Sequence, residues 1–343
     1  MKKVFAILMS VLMAFLLGCE KDALLLPQED EALTPDFRAD LPTEPQTPAW
    51  KMVISQMDDY IMQAVDENVL DANLGKVLMA QSDLIEKLIG KDAVPAAREQ
   101  IQVFKGKVET MVEKGYFPII RARPLMGMAD KLTLILEGKL VQFREGFENY
   151  ETGAFPYEGG WDLHFNGMGE GFQYISDGVA YSGTKSLKLE GRIGWPAVAF
   201  KPMPELSRVV FAEAKVYIHE PQPGVVECPK AGFGLGTLEE GYLGKSVHHA
   251  FVYFKTNGNI YFGATDVTAE KIGAWQGNKW YDIRIGYDAA FKTGSVWVDG
   301  ELILENVNLK GPEGTYAGVL LDSGNDTHTF TFFDDVMVWK PVE

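Results

Sequence analysis

The chain has 343 residues, 48 of them acidic and 32 basic, for a net charge of −16 at neutral pH. That balance opposes contact with DNA, RNA or anionic lipid headgroups, so no nucleic-acid partner is expected. The 46% hydrophobic content supplies apolar material for two cores, and the two cysteines rule out a disulfide framework.

In chain order, "MKKVFAILMSVLMAFLLGC" places Lys2 and Lys3 before an apolar run from Val4 to Leu17, then Gly18 and Cys19. The pattern is that of a secretory signal, and the run falls short of the ~20 residues a membrane span needs. Leu16-Leu17-Gly18-Cys19 resembles the bacterial lipobox. The resemblance implies cleavage after residue 18, acylation of Cys19 with palmitate-type chains, and anchoring to a bilayer without a span. Glu20, where aspartate often retains such lipoproteins at the inner membrane, favours the cell outer membrane, facing the periplasm or the surface. Loss of residues 1–18 leaves 30 basic against 48 acidic residues, a net of −18. With Cys19 acylated, Cys228 has no intramolecular partner.

Residues 19–49 carry prolines at 27, 35, 42, 45 and 48 among many acids, and no sustained apolar period. They read as a solvated tether, up to about 90 Å long if extended.

Residues 50–138 show the helical period. Ile54, Met57, Ile61 and Val65 form one stripe; Leu74, Val77, Leu78, Ile85 and Leu88 a second; Ile101, Phe104, Val108 and Met111 a third; Met126, Ala129, Leu132 and Ile135 a fourth. Gly90, Pro95, Gly115 and Pro118 punctuate them, which predicts a bundle of three or four helices. The order of features, with Ala96-Ala97 and Phe104, resembles the FIMAH-type modules appended to extracellular proteins. That resemblance implies a spacer or interaction element.

From residue 141 to 343 the period changes to two, as in "FAEAKVYIH", with about ten short strands, turn signals such as Thr256-Asn257-Gly258-Asn259, and no helix between them. The chain thus predicts a multidomain protein, an N-terminal helical bundle followed by an antiparallel β-sandwich. The succession "FVYFKTNGNIYF", "GNKWYDIRIGYD", "GSVWVDGELI" and "FFDDVMVW" resembles the concanavalin A-like, laminin-G-like jelly roll. "FENYETGAFPYEGGW" (147–161), followed by "SGTKSLKLEG", resembles its entry strand. Because this fold hosts many activities, function must come from the site.

No catalytic set stands out. Glycosidases need two carboxyl groups about 5–10 Å apart, which related glucanases supply as E-x-D-x-x-E. Here Glu148 and Glu151 are three apart and would fall on opposite faces of a strand, as would the adjacent Asp334 and Asp335. There is no G-x-S-x-G elbow, and His248-His249 lacks a metal-ligand spacing. No cofactor motif is present. The jelly-roll resemblance does imply a structural Ca²⁺ site, with Glu148 and Asp334 or Asp335 as ligands, since a hard cation takes six to eight oxygens.

Sugars bind on aromatic faces. Trp161, Trp195 and Trp275 lie near Gly- or Pro-containing turns and are the candidate ligand residues, with Tyr174 and Tyr242. Trp280, Trp297 and Trp339 lie inside strand motifs and are expected in the core. The function expected is non-catalytic binding of an extracellular polysaccharide by a membrane-anchored lipoprotein. The rivals are a structural or adhesive module for an envelope protein, and an unrecognised glycan hydrolase or lyase.

Overall fold

The computed structural model describes residues 47–342, except 220–228, 240–244, 266–268 and 325–328. The expected signal, Cys19, residues 20–46 of the expected tether, Cys228 and Tyr242 lie outside the described residues, and the first helix begins at Ala49, within the bounds expected for the tether. No helix among the described residues is long and apolar enough to cross a membrane.

Among the described residues four helices come first: α1 (Ala49–Asp66), α2 (Ala72–Ile89), α3 (Val94–Glu113) and α4 (Ile119–Leu136). Asp71 caps α2, its carboxylate accepting from the N–H of Asn73 and Leu74. Gly115 and Gly138, at φ of 71° and 78°, end α3 and α4 in the left-handed conformation that glycine adopts without steric cost. Each helix packs against its chain neighbours and α1 also meets α4, closing a four-helix bundle. Met57, Ile61, Leu78, Ile85, Ile101, Phe104, Val108, Leu125 and Leu132 fill its centre. One predicted stripe shifts in phase. Val77 is 43% exposed, because α2 turns Gln81 and Ser82 inward with Leu78 and Ile85. Gln81 is satisfied there by the Gln100 side chain and the Lys107 ammonium.

Fifteen strands follow among the described residues: β1 (Lys139–Glu145), β2 (Asp162–Asn166), β3 (Tyr174–Ser176), β4 (Ser186–Gly191), β5 (Ala197–Pro202), β6 (Val209–Ile218), β7 (Pro229–Leu238), β8 (Ser246–Lys255), β9 (Asn259–Gly263), β10 (Glu270–Ala274), β11 (Lys279–Asp288), β12 (Thr293–Val298), β13 (Glu301–Asn308), β14 (Gly318–Ser323) and β15 (Thr329–Pro341). One antiparallel sheet runs β13-β12-β11-β6-β15-β4-β3, with β1 also on β15; the other runs β10-β9-β8-β7-β14-β5-β2. The two form a β-sandwich. β6 shows why: Val210, Ala212, Ala214, Val216 and Ile218 are buried between the sheets while the residues between them face out.

The expected entry strand at 147–161 is a correction. Residues 146–161 form no strand: Phe147 takes φ 58°, Gly153 and Gly160 are left-handed, and Pro156 precedes a single 3₁₀ turn at Tyr157–Gly159. β1 before it is the strand that pairs with β15. The irregular stretch plugs the sandwich instead. Phe147, Phe155 and Trp161 are at most 8% exposed within the core, and Trp161 contacts Phe147 at 5.8 Å and Phe143 at 6.4 Å.

Candidate functional site

The expected calcium residues come together at one loop, 181–185. Asp334 is fully buried; its Oδ2 accepts from the N–H of Tyr181 (2.9 Å) and Ser182 (3.0 Å), and its Oδ1 from that of Asp335 (2.7 Å). Glu148 accepts from the N–H of Thr184 and Lys185, both at 2.8 Å, and from the Thr184 hydroxyl. Asp335 accepts from the Ser182 hydroxyl. Gly183 has to be glycine: at φ +61°, its Cβ would lie 2.4 Å from the Glu148 carboxylate. Burial pushes the Asp334 carboxyl above its usual range despite these donors. For Glu148 slight burial works the same way, but the Thr184 and Lys185 donors prevail and hold it low. The neighbours of these carboxylates are therefore N–H and O–H donors, whereas a cation wants further acceptor oxygens. No group of three or more His, Cys, Asp or Glu able to hold a metal occurs among the described residues.

The turn tryptophans form no common groove. Trp161 and Trp275 are 2% and 8% exposed, and Trp275 donates its indole N–H to the Lys255 carbonyl. Trp195 is half-buried, beside Phe165 and bonded to the Asn166 side chain.

Of the tryptophans expected in the core, Trp339 is buried, whereas Trp280 and Trp297 are half-buried on the outer face of the first sheet. On the outer face of the first sheet, strand register sets Trp280 on β11 against Tyr217 on β6, Tyr217 against Phe332 on β15, Phe332 against Lys188 on β4, and Lys188 against Tyr174 on β3. This row crosses five strands, roughly 19 Å of sheet. Trp280, Tyr217 and Phe332 are in ring contact at 5.3 and 5.7 Å, and the Lys188 ammonium lies 5.0 Å from the Tyr174 ring and 4.9 Å from Phe330. Tyr181, 52% exposed, stands edge-on to Trp280 at 5.7 Å. Apart from Phe332, the rings are half-buried, so part of each aromatic surface reaches solvent. Tyr174 is the one predicted ligand residue in the row.

Beside the row lies a charged band of ion pairs, Lys215–Asp282 and Arg284–Glu213, both at 2.7 Å. Leu134 of α4 reaches it, closing a crevice of about 210 Å³ with Arg144, Asp335 and Met337. Beyond the band a second aromatic group stands on the same face: Phe211 stacks on Trp339 (4.0 Å, 5°) and meets Trp297 at 6.1 Å.

The outer face of the other sheet carries a small buried cluster. Val198, Phe200, Phe251 and Leu320 are at most 9% exposed, and Phe251 stacks on His248 at 3.8 Å. Asp322 is buried there with its Oδ1 lacking a hydrogen-bond partner, and burial pushes its pKa up to about 7. Burial drives the His248 imidazole down to about 3 and that of His249 to about 4. The two histidines point to opposite faces, as alternation predicts. His248 bonds the Tyr253 hydroxyl outside, and His249 approaches Tyr287 inside.

No family model matches the chain, and no curated protein matches it in sequence. Among solved structures it is similar to a sialidase at 11% identity and TM-score 0.43, over 58% of this chain and 18% of that one. Trypanosoma rangeli sialidase is similar at 17% identity and TM-score 0.35, over 50% of this chain and 27% of that one. Cellulose induced protein, Cip1, is similar at 10% identity and TM-score 0.36, over 57% of this chain and 89% of that one. The chain thus spans well under a third of either sialidase. The class is a helical bundle joined to a two-sheet antiparallel β-sandwich.

Proposed function

We propose that the sandwich binds a glycan chain laid across the outer face of its first sheet, without cleaving it. The observation that carries this reading is the five-strand row Trp280–Tyr217–Phe332–Lys188–Tyr174. The half-buried rings offer aromatic surface to the C–H faces of sugars, while the Tyr217 and Tyr174 hydroxyls and Asn278 supply polar contacts at their edges and Lys188 is held in place by its ion pair with Glu190. A soluble domain keeps an aromatic run at the surface at a cost in solvation, which makes such a run a binding surface by default. Binding without catalysis is supported by the state of the nearby carboxylates. Asp282 and Glu213 are ion-paired, and Asp334 is held by three N–H donors, so none is arranged as an acid–base pair.

Lipid on Cys19 would keep the protein at an outer membrane. The test is retention on insoluble polysaccharides together with a glycan array. Retention that falls on Trp280→Ala or Tyr217→Ala supports the reading; no retention and no array hit sinks it.

The protein-partner reading draws on a separate observation. Val77, Leu84, Val103 and Tyr116, each 41% exposed or more, leave apolar surface on α2, α3 and the turn after α3. That reading predicts pull-down of an envelope protein, lost on Val103→Asp and indifferent to sugars.

A further inference from the structure

Six residues along β11 from Trp280, roughly 20 Å away along the strand, the outer face carries no side chain at Gly286, which lies between Phe211 on β6 and Ser295 on β12. A groove of about 530 Å³ opens at this point, lined by Phe211, Gly286, Asp288, Phe291, Trp297 and Glu305 among others. Its size is within the ~300–1,000 Å³ range of small-ligand sites.

The groove depends on glycine: a Cβ at 286 would lie 2.8 Å from the Phe211 ring. One wall is held in place, since Phe211 is backed by Trp339, stacked at 4.0 Å. Trp297 stands beside it, and Phe291, 68% exposed under the Arg208 guanidinium, forms the opposite lip.

The polar lining consists mainly of acceptors. Asp288 accepts from Arg208 and from the N–H of Ala290 and Phe291. Partial burial works against its ionisation, but these donors prevail and hold the carboxyl low. Ser295 Oγ accepts from the Asn306 N–H and keeps its own proton to donate. Glu305 and Asn306 are exposed along the rim. No lysine or arginine lines the groove, and the nearby Arg208 is already paired with Asp288.

We infer that this notch receives one uncharged sugar ring and rejects rings bearing a carboxylate or sulfate. The inference rests on the glycan reading above and narrows its substrate class. Sugar C–H faces fit the Phe211, Trp297 and Phe291 walls, and hydroxyl donors fit the carboxylates and the Asn306 carbonyl. An anionic ring would instead meet Glu305, and the guanidiniums over the walls, Arg208 above Phe291 and Arg284 above Trp297, are already paired with Asp288 and Glu213.

The test uses the full chain, titrated by saturation-transfer NMR with the methyl β-glycosides of glucose, galactose and N-acetylglucosamine, and with methyl β-glucuronide. At least one neutral glycoside is expected to bind, with the glucuronide weaker by about tenfold or more. Trp297→Ala and Gly286→Leu should each weaken neutral binding by about tenfold, and Glu305→Lys should raise glucuronide binding. If Gly286→Leu fails to fold, Trp297→Ala and Glu305→Lys decide the matter. Equal binding of glucuronide and neutral glycosides, or Trp297→Ala and Glu305→Lys proteins that bind as the unmodified chain does, overturns the inference. Polysaccharide retention that depends on Trp280, with no glycoside bound at the notch, overturns the notch alone. Absence of all sugar binding overturns both.

Discussion

Replacing Asp322 by asparagine should stabilise the protein in mild alkali far more than in mild acid. Asp322 is 8% exposed on β14, flanked in register by Gly232 of β7 and Val198 of β5, neither of which offers a charge or a donor. Its Oδ1 has no partner, and its pKa stands at about 7 against an ordinary 3.8. Because the folded value is the higher one, the native state holds a proton that the unfolded chain has released. The stability due to that proton is full below pH ~4 and is lost as the pH rises to ~7. At 1.36 kcal/mol per unit the whole loss is about 4 kcal/mol, of which roughly 3 falls between pH 5 and pH 8. Asparagine is nearly the same size and neutral throughout. Its own buried amide carries a cost, but one that does not change with pH, so the difference between the two pH values isolates the carboxylate. Urea unfolding followed by circular dichroism should show Asp322→Asn gaining on the wild type by about 3 kcal/mol on moving from pH 5 to pH 8. In thermal melts this corresponds to roughly 6–12 °C. Parallel pH profiles for the two proteins would refute the argument, showing either that the carboxylate is solvated or that it has a partner.

The buried histidines work in the opposite direction. With folded pKa values of about 3 and about 4 against 6.5, they contribute stability that is full above pH ~6.5 and lost as the pH falls toward 4. Asp322→Asn, lacking the opposing gain, should therefore show a steeper acid limb than the wild type, checked by the same melts between pH 4 and pH 7. Asp334→Ala strands the N–H groups of Tyr181 and Ser182 and should cost about 2–5 kcal/mol, while Glu148→Gln, at an exposed site, should cost about 1 kcal/mol or less; chemical denaturation ranks the two. Since N–H and O–H donors already occupy these carboxylates, a chelator should leave the melting temperature within about 1 °C of the untreated protein, against the several degrees a ligand-linked site would give. Trp280→Ala should lower retention on a bound polysaccharide by about tenfold with little change in melting, measured by affinity electrophoresis.

Much of the fold is local in origin and therefore legible in the chain. "SLKLEG" is β4 to the residue, and the alternation in β6 identifies its buried face without any knowledge of its neighbours. The phase of α2 is less legible, because Leu78 and Ile85 fit a stripe either with Val77 or with Gln81. Only packing against α3, where Gln100 and Lys107 satisfy the amide, selects the second. The stretch at 147–161 misleads for a related reason. Its aromatics suggest a strand or a ligand loop, whereas left-handed Phe147, Gly153 and Gly160, with Pro156 before the 3₁₀ turn, break the backbone so that the rings can fold inward as a plug.

For the tryptophans, position in the strand is a better guide than residue type. A tryptophan inside a strand looks like core and one at a turn looks exposed, yet turns at the ends of a sandwich are where large rings close the gap between sheets, as Trp161 and Trp275 do. Period two already held the correction. Val296 and Val298 flank Trp297, and Tyr281 and Ile283 follow Trp280 at the spacing of an inward face, so both indoles had to face out. What no local pattern contains is the row itself. Its members come from five strands between residues 174 and 332, and they meet only because the chain crosses repeatedly between sheets and returns in one register. A slip of one residue in β11 against β6 would turn Trp280 into the core and bring Tyr281 to the surface. The proposed binding face and the hydrophobic core are thus set by the same register, and a variant that weakened the inward faces of Ile283 or Val216 should lose any glycan retention as well as stability.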